Sequence, residues 1–192
     1  MGLGGRRQRS AALRAGPSTT LMHDPFVDLL RALHARGVRF VLIGVWGANY
    51  YAPSGSASFE TRDRDLFLPR DPGNLLKAWQ ASEAAGLSLW AGEEPLDSPR
   101  DEDLARRVVE RQALVRVTDG GDLEVDLTLV MAGFDFETVW NERRAFVTEG
   151  VDIPVARLLH IVKSKEAAGR DKDRLFLATH AEALRQLLRR ED

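Results

Sequence analysis

The chain has 192 residues, 44% of them hydrophobic and 29% charged, with 27 basic against 29 acidic side chains, which is enough for one globular core and too balanced for general affinity to nucleic acid or anionic membrane. It has no cysteine, so disulfides, thiolate zinc sites and cysteine nucleophiles are excluded, any metal must be held by oxygen or histidine, and a cytoplasmic location is expected. No apolar run approaches bilayer-spanning length, so no membrane partner is expected.

Residues 1–21 read as a disordered tail: Arg6, Arg7, Arg9 and Arg14 stand without an acid among Gly, Ala, Ser and Pro, with too little apolar surface to offset the entropy of ordering. The twin arginines lack a following apolar stretch, which argues against an export signal; an organelle-type presequence and a nucleic-acid-binding arm are the rival readings, and Met22 is an alternative start. From Asp24 the pattern is regular. Asp24 as N-cap and Pro25 at the first helical position predict a helix carrying Phe26, Leu29, Leu30 and Leu33 on one face and ending at Gly37. Val38 to Ile43 reads as a buried strand with a sharp exit at Gly44, and Trp46 to Tyr51 as a short helix stopped before Pro53. Ser54 to Ser58 is a polar loop, Asp65 to Leu68 a second strand, and Asp71-Pro72 caps a helix with Leu75, Leu76 and Trp79 that runs to Gly86.

Leu87 to Trp90 reads as an edge strand, followed by an acidic loop through Arg100 and a helix from Asp101 or Asp103 to about Arg111. Ala113 to Val117 and Leu123 to Val130 form a hairpin around the turn Thr118-Asp119-Gly120-Gly121-Asp122. A short helix over Phe134 to Arg143 precedes extended segments at Ala145 to Thr148 and Val151 to Val155. The remainder is helical: Ala156 to about Ala168, a break at Gly169, then Asp171 to Arg190. The organisation expected is a tail over 1–21, a core over 22–155 and a C-terminal helical extension over 156–192 packed on that core.

Chemistry concentrates in Thr61-Arg62-Asp63-Arg64-Asp65-Leu66-Phe67-Leu68. In extended chain, residues i and i+2 point to the same side, roughly 6.5 to 7 Å apart, so Asp63 and Asp65 can reach one small volume and grip divalent metal. In Leu123 to Leu129 the alternation puts Val125, Leu127 and Leu129 on one face and Glu124, Asp126 and Thr128 on the other. If that strand lies beside the one holding Asp65, Asp126 completes a carboxylate triad suited to phosphoryl or nucleotidyl transfer, with Glu124 as its rival. Taken alone, Asp126 reads as an exposed strand acid. Gly44, where a strand gives way to a short helix, can present backbone N–H groups to phosphate, or can simply be a turn glycine. Lys163, Lys165, Arg170 and Lys172 surround the Gly169 break, either to bind a triphosphate or acceptor or as a solvated helix junction, with Asp173 positioned to orient one of them. His23, His34, His160 and His180 lack metal-ligand spacing.

In this order, the apolar strand ending at Gly44, the pair Asp63 and Asp65 leading into Leu66-Phe67-Leu68, and Asp126 on a later strand resemble the nucleotidyltransferase superfamily of DNA polymerase beta. More narrowly the chain resembles the small bacterial AbiEii-like nucleotidyltransferases of the abortive-infection toxin type. Their Thr-x-Asp-x-Asp matches Thr61, Asp63 and Asp65, and their late Lys, Gly-Arg and Lys-Asp match Lys165, Gly169-Arg170 and Lys172-Asp173. The resemblance covers about Val38 to Asp173. It implies an α+β fold, a small mixed β-sheet flanked by helices with further C-terminal helices, which agrees with the element order read above. It implies two magnesium ions on Asp63 and Asp65, with Asp126 binding the catalytic ion and helping to deprotonate an acceptor hydroxyl. Gly44, Val45 and the amides there, with Thr61, Lys165, Arg170 and Lys172, would contact the nucleoside triphosphate or the acceptor. The acceptor is RNA, protein or a small molecule such as an aminoglycoside, and an antitoxin protein is an implied partner.

Three positions depart from the family pattern. Val45 stands where Gly or Ser is usual, Phe59 where an arginine is common, and Arg64 where the residue between the aspartates is usually apolar; the Gly44 to Asp63 interval is also longer, with Ser54 to Ser58 as the insertion. These changes touch phosphate binding more than metal binding. Two further readings therefore stand beside an active magnesium-dependent transferase: a degenerate fold member that binds nucleotide or a protein partner without catalysis, and a nucleic-acid-binding protein that uses its arginine tail.

Overall fold

Four described helix starts are fixed by aspartates, Asp24, Asp71, Asp101 and Asp135, whose side chains accept backbone N–H groups that the helix itself cannot satisfy. In the computed structural model, which describes residues 24–53 and 59–191, Asp24 accepts from Phe26 at 2.9 Å to open α1 (Pro25–Ala35), and Asp71 accepts from Gly73 at 2.9 Å to open α3 (Pro72–Ala84). Asp101 accepts from Leu104 at 2.9 Å to open α4 (Glu102–Arg111). The expected tail over 1–21 and the Ser54 to Ser58 loop lie outside the described residues.

The remaining elements, in chain order, are β1 (Val41–Ile43), α2 (Gly44–Asn49), β2 (Arg64–Phe67), β3 (Ser88–Ala91), β4 (Glu94–Pro95), β5 (Val115–Thr118), β6 (Glu124–Thr128), α5 (Phe136–Glu142), β7 (Arg144–Thr148), β8 (Val151–Val155), α6 (Leu158–Ala168), α7 (Asp171–Thr179) and α8 (Ala181–Glu191). The strands form one mixed sheet in the order β4-β3-β5-β6-β2-β1-β8-β7. β2 runs parallel to β6 and β1 parallel to β8, and every other neighbouring pair is antiparallel. The fold is therefore α+β, a mixed eight-stranded sheet flanked by helices. No described helix is long and apolar enough to cross a membrane.

Strand alternation splits the core into two layers. Leu42, Leu66, Val117, Val125 and Leu127 face α1, α3 and α4 in one apolar cluster, where Trp79 and Phe26 are fully buried. Val41, Ile43 and Phe67 point the other way and pack with Phe136, Leu158, Ile161, Leu184 and Leu187 of α5, α6 and α8. The last three helices thus continue the second core layer. Glu191, near the end of α8, accepts from the backbone N–H groups of Leu158 at 3.2 Å and Leu159 at 3.3 Å, so α8 caps the start of α6.

The structure differs from the sequence reading in four details. β1 is three residues long, α2 begins at Gly44 itself, the loop after β3 holds the two-residue β4, and the last helix is two. The division falls at His180, whose ring packs on Phe59 and Phe176 at 4.9 Å each, pinning the chain between α7 and α8.

Candidate active site

The β2–β6 pairing sets the geometry. Asp65 and Asp126 are direct partners in a parallel ladder, followed by Leu66 with Leu127, so both carboxylates project from the same face of the sheet toward the helices of the second layer. Asp63 lies just before β2, where the Thr61 hydroxyl accepts from the Asp63 backbone N–H at 3.2 Å and bends the chain into the strand. Opposite this wall stands the α6–α7 junction. Asp173 is fully buried there and accepts from Lys165 at 2.9 Å and Arg170 at 2.6 Å, so one internal carboxylate aims two cations at the sheet. Burial opposes the charge on Asp173, but the hydrogen bonds from Arg170 and Lys165, with their charges, outweigh it and hold the carboxyl below its usual range.

Between the walls lie two adjoining hollows of about 370 Å³ each that share Asp65, Leu114, Lys165 and Arg170. The polar one also receives Asp63, Asp126, Val45, Thr61 and Lys172. The other is bordered by Gly44, Ser164 and the apolar residues Val130 and Met131. Asp63, Asp65, Asp126, Gly44, Val45, Thr61, Lys165, Arg170 and Lys172 therefore line the two adjoining hollows, whereas Lys163 lines neither and Glu124 borders a neighbouring one. Leu114 and Val130 are large apolar side chains left 41% and 44% exposed, and both border the hollow beside Asp65, which gives it an apolar wall.

Gly44 is required by a close approach. Its φ of +69° belongs to the left-handed region, and a Cβ there would fall 2.4 Å from Asp65 Oδ2. Val45 lines the cleft and leans on the second core layer. Phe59 is a packing residue: its ring meets Phe176 at 5.3 Å, and its backbone is held on both sides by the Asn49 amide, which donates to Phe59 O at 2.9 Å and accepts from Phe59 N–H at 2.6 Å. Arg64 turns to the opposite face from the aspartates and stacks on Trp46, with its guanidinium carbon 4.2 Å from the ring centroid, and on Phe26 at 5.3 Å. An arginine can fill that apolar position because two aromatic faces receive it.

Asp65 is the strained group. Burial pushes its carboxyl up to about 6, the negative charges of Asp126 and Asp63 push the same way, and Lys165 and Lys172 only partly offset them. A half-buried carboxylate crowded by two others is a donor set that suits a hard divalent cation. Yet among the described residues no three acidic or histidine side chains converge as a cation cage. Arg116 faces Asp126 across the β5–β6 ladder and donates to both its oxygens, Nε to Oδ1 at 2.8 Å and Nη2 to Oδ2 at 3.2 Å. The three carboxylates line one cleft, and the third is already paired with a guanidinium. Sequence reasoning missed Arg116, Leu114 and Val130; the alternation of Val115, Arg116 and Val117 was the available signal for the first.

No protein-family model matches the chain, and no curated protein matches it. Solved structures similar to it include two of one protein. One is the solution structure of the antibiotic-resistance factor ANT(2'')-Ia, 16% identical over 85% of this chain and 87% of that chain with a TM-score of 0.48. The other is the crystal structure of ANT(2'')-Ia in complex with adenylyl-2''-tobramycin, 15% identical over 86% of this chain and 94% of that chain with a TM-score of 0.49. A likeness of this size assigns neither substrate nor residue roles.

Proposed function

We propose that this cleft is the active site of a magnesium-dependent nucleotidyltransferase that moves a nucleoside monophosphate from a triphosphate to a hydroxyl acceptor. The observation that carries this reading is the in-register pair Asp65 and Asp126, joined by Asp63 and faced by Lys165, Arg170 and Lys172 across one cleft. Asp63 and Asp65 would hold two magnesium ions, with Asp126 as the third ligand. Bound magnesium would neutralise phosphate charge and make the acceptor hydroxyl easier to deprotonate. Lys165, Arg170 and Lys172 bind the polyphosphate, with Thr61, Gly44 and Val45 at its border. The acceptor oxygen bonds to the α-phosphorus, the bond from that phosphorus to the pyrophosphate oxygen breaks, the hydroxyl proton passes to Asp126, and pyrophosphate leaves.

On the same reading, the late Lys165, Gly169-Arg170 and Lys172-Asp173 motif supports a likeness to AbiEii-like bacterial enzymes, for which a cytoplasmic location and an antitoxin partner would follow. RNA, protein and small-molecule hydroxyls are then the acceptors to assay. The test uses α-labelled triphosphates with each acceptor class and follows label transfer together with pyrophosphate release. Transfer that is lost in Asp65→Asn and Asp126→Asn supports the proposal; transfer unchanged in both variants ends it. A second reading, nucleotide binding without turnover, is favoured by the Arg116 pairing of Asp126 and by Val45 at the phosphate border. Magnesium-dependent triphosphate binding in calorimetry with no pyrophosphate from any acceptor would select it.

A further inference from the structure

Arg116 stands where two carboxylates of one strand face compete for it. Besides its paired hydrogen bonds to Asp126, its Nη1 lies 3.3 Å from Glu124 Oε2, two residues back along β6 and in the same row. The two partners are unequal. The Asp126 side chain is 17% exposed and that of Glu124 55%, so water screens the Glu124 contact far more than the Asp126 contact. Arg116 itself is 39% exposed and borders both the carboxylate cleft and a neighbouring hollow of about 240 Å³ that Glu124, Trp90 and Thr118 line. A guanidinium leaving Asp126 therefore has a space to enter and a second carboxylate to meet there.

We propose that Arg116 is a built-in counter-ion that competes with the divalent cation for Asp126 and pivots onto Glu124 when the cation seats. The inference rests on the nucleotidyltransferase reading of the cleft and names what regulates its loading. Without a cation, Arg116 neutralises the carboxylate that most directly crowds Asp65 and occupies both of its oxygens. With a cation, the positive charge at Asp126 is replaced by that of the ion, and the exposed Glu124 keeps the guanidinium from being left unpaired. Arg116 acts through Asp126 and is a positioning residue. The two partners thus have opposite effects on cation affinity: Arg116 weakens it, and Glu124, by offering Arg116 an alternative, strengthens it. A merely structural role for the Arg116 pair makes no such pair of opposed signs.

The experiment is calorimetric titration of the full chain with manganese alone, in wild type, Arg116→Gln, Arg116→Lys, Glu124→Gln and Asp65→Asn, each shown by thermal melting to be folded. Arg116→Gln is expected to bind manganese roughly tenfold more tightly, because the paired charge-assisted hydrogen bonds no longer have to be broken before the cation seats. Glu124→Gln is expected to bind several-fold more weakly, and Arg116→Lys, which keeps the charge but not the paired geometry, to fall between wild type and Arg116→Gln. Manganese binding that needs Asp65 but is equal or weaker in Arg116→Gln overturns the inference and leaves the carboxylate site standing. Binding absent from wild type, or unaffected by Asp65→Asn, overturns both.

Discussion

Replacing Gly44 with alanine tests the contact between the α2 start and Asp65, and its cost can be separated into two parts. The first is backbone: a residue other than glycine at φ of +69° costs about 1–2 kcal/mol. The second is the collision of the new Cβ with Asp65 Oδ2 at 2.4 Å, which must turn that short side chain off its rotamer for about 1 kcal/mol. Gly37 provides the control, since its φ is +64° and a Cβ there meets nothing within 4 Å, so Gly37→Ala carries the backbone part alone. In a chain of this size 1 kcal/mol moves Tm by about 2–4 °C, and Gly44→Ala should melt that much below Gly37→Ala. Urea unfolding of Gly44→Ala, Asp65→Ala and the double variant then isolates the contact as a coupling of about 1 kcal/mol, above the usual error of about 0.3–0.5 kcal/mol for independent sites. A coupling of zero would refute the close approach, and with it the argument that Gly44 sets where Asp65 sits.

Three further outcomes follow from the same cleft. In metal-free buffer, stability should fall as pH rises from about 3.8 to about 6 and then flatten at that site: the folded-state carboxyl of Asp65 titrates near 6, so over that window the native chain holds a proton that the unfolded chain has released. The effect is at most about 3 kcal/mol, and Asp65→Asn should remove that slope and be more stable than wild type at pH 7, as read by denaturant titration at each pH. Asp173→Ala leaves Lys165 and Arg170 without their buried partner and should cost about 3 kcal/mol in urea unfolding, while Arg174→Ala, an exposed pair with Asp171, should cost less than about 1 kcal/mol. Glu191→Ala removes the cap of α6 and should cost about 1–2 kcal/mol; a Tm equal to wild type would contradict the docking of α8 on α6.

The parts of the cleft that rest on local rules were legible in the sequence. Alternation from Leu123 to Leu129 put Asp126 on the face opposite Val125, Leu127 and Leu129, the Asx caps at Asp24 and Asp71 marked helix starts, with Asp101 one of two candidates for a third, and Gly44 marked a turn. What escaped depends on register and on partners distant in sequence. Arg116 meets Asp126 only because the turn between β5 and β6 closes in one register, with Thr118 Oγ1 accepting from Gly120 N–H at 3.0 Å and Asp119 Oδ1 from Gly121 N–H at 2.7 Å. A slip of one residue would have put Arg116 on the other face. Arg64 looked out of place between the aspartates because its acceptor rings, Phe26 and Trp46, come from α1 and α2. The break at His180 carries no glycine or proline and follows from ring packing against Phe59, across more than a hundred residues of chain.

The central claim, that Asp63, Asp65 and Asp126 gather a divalent cation for nucleotide transfer, is tested most directly by crystals grown with manganese and a non-hydrolysable triphosphate. The account predicts an anomalous peak within coordination distance of Asp65, with polyphosphate oxygens between it and Lys165 or Arg170. A peak away from Asp65, or a triphosphate bound outside the cleft between β2 and α6, would contradict it.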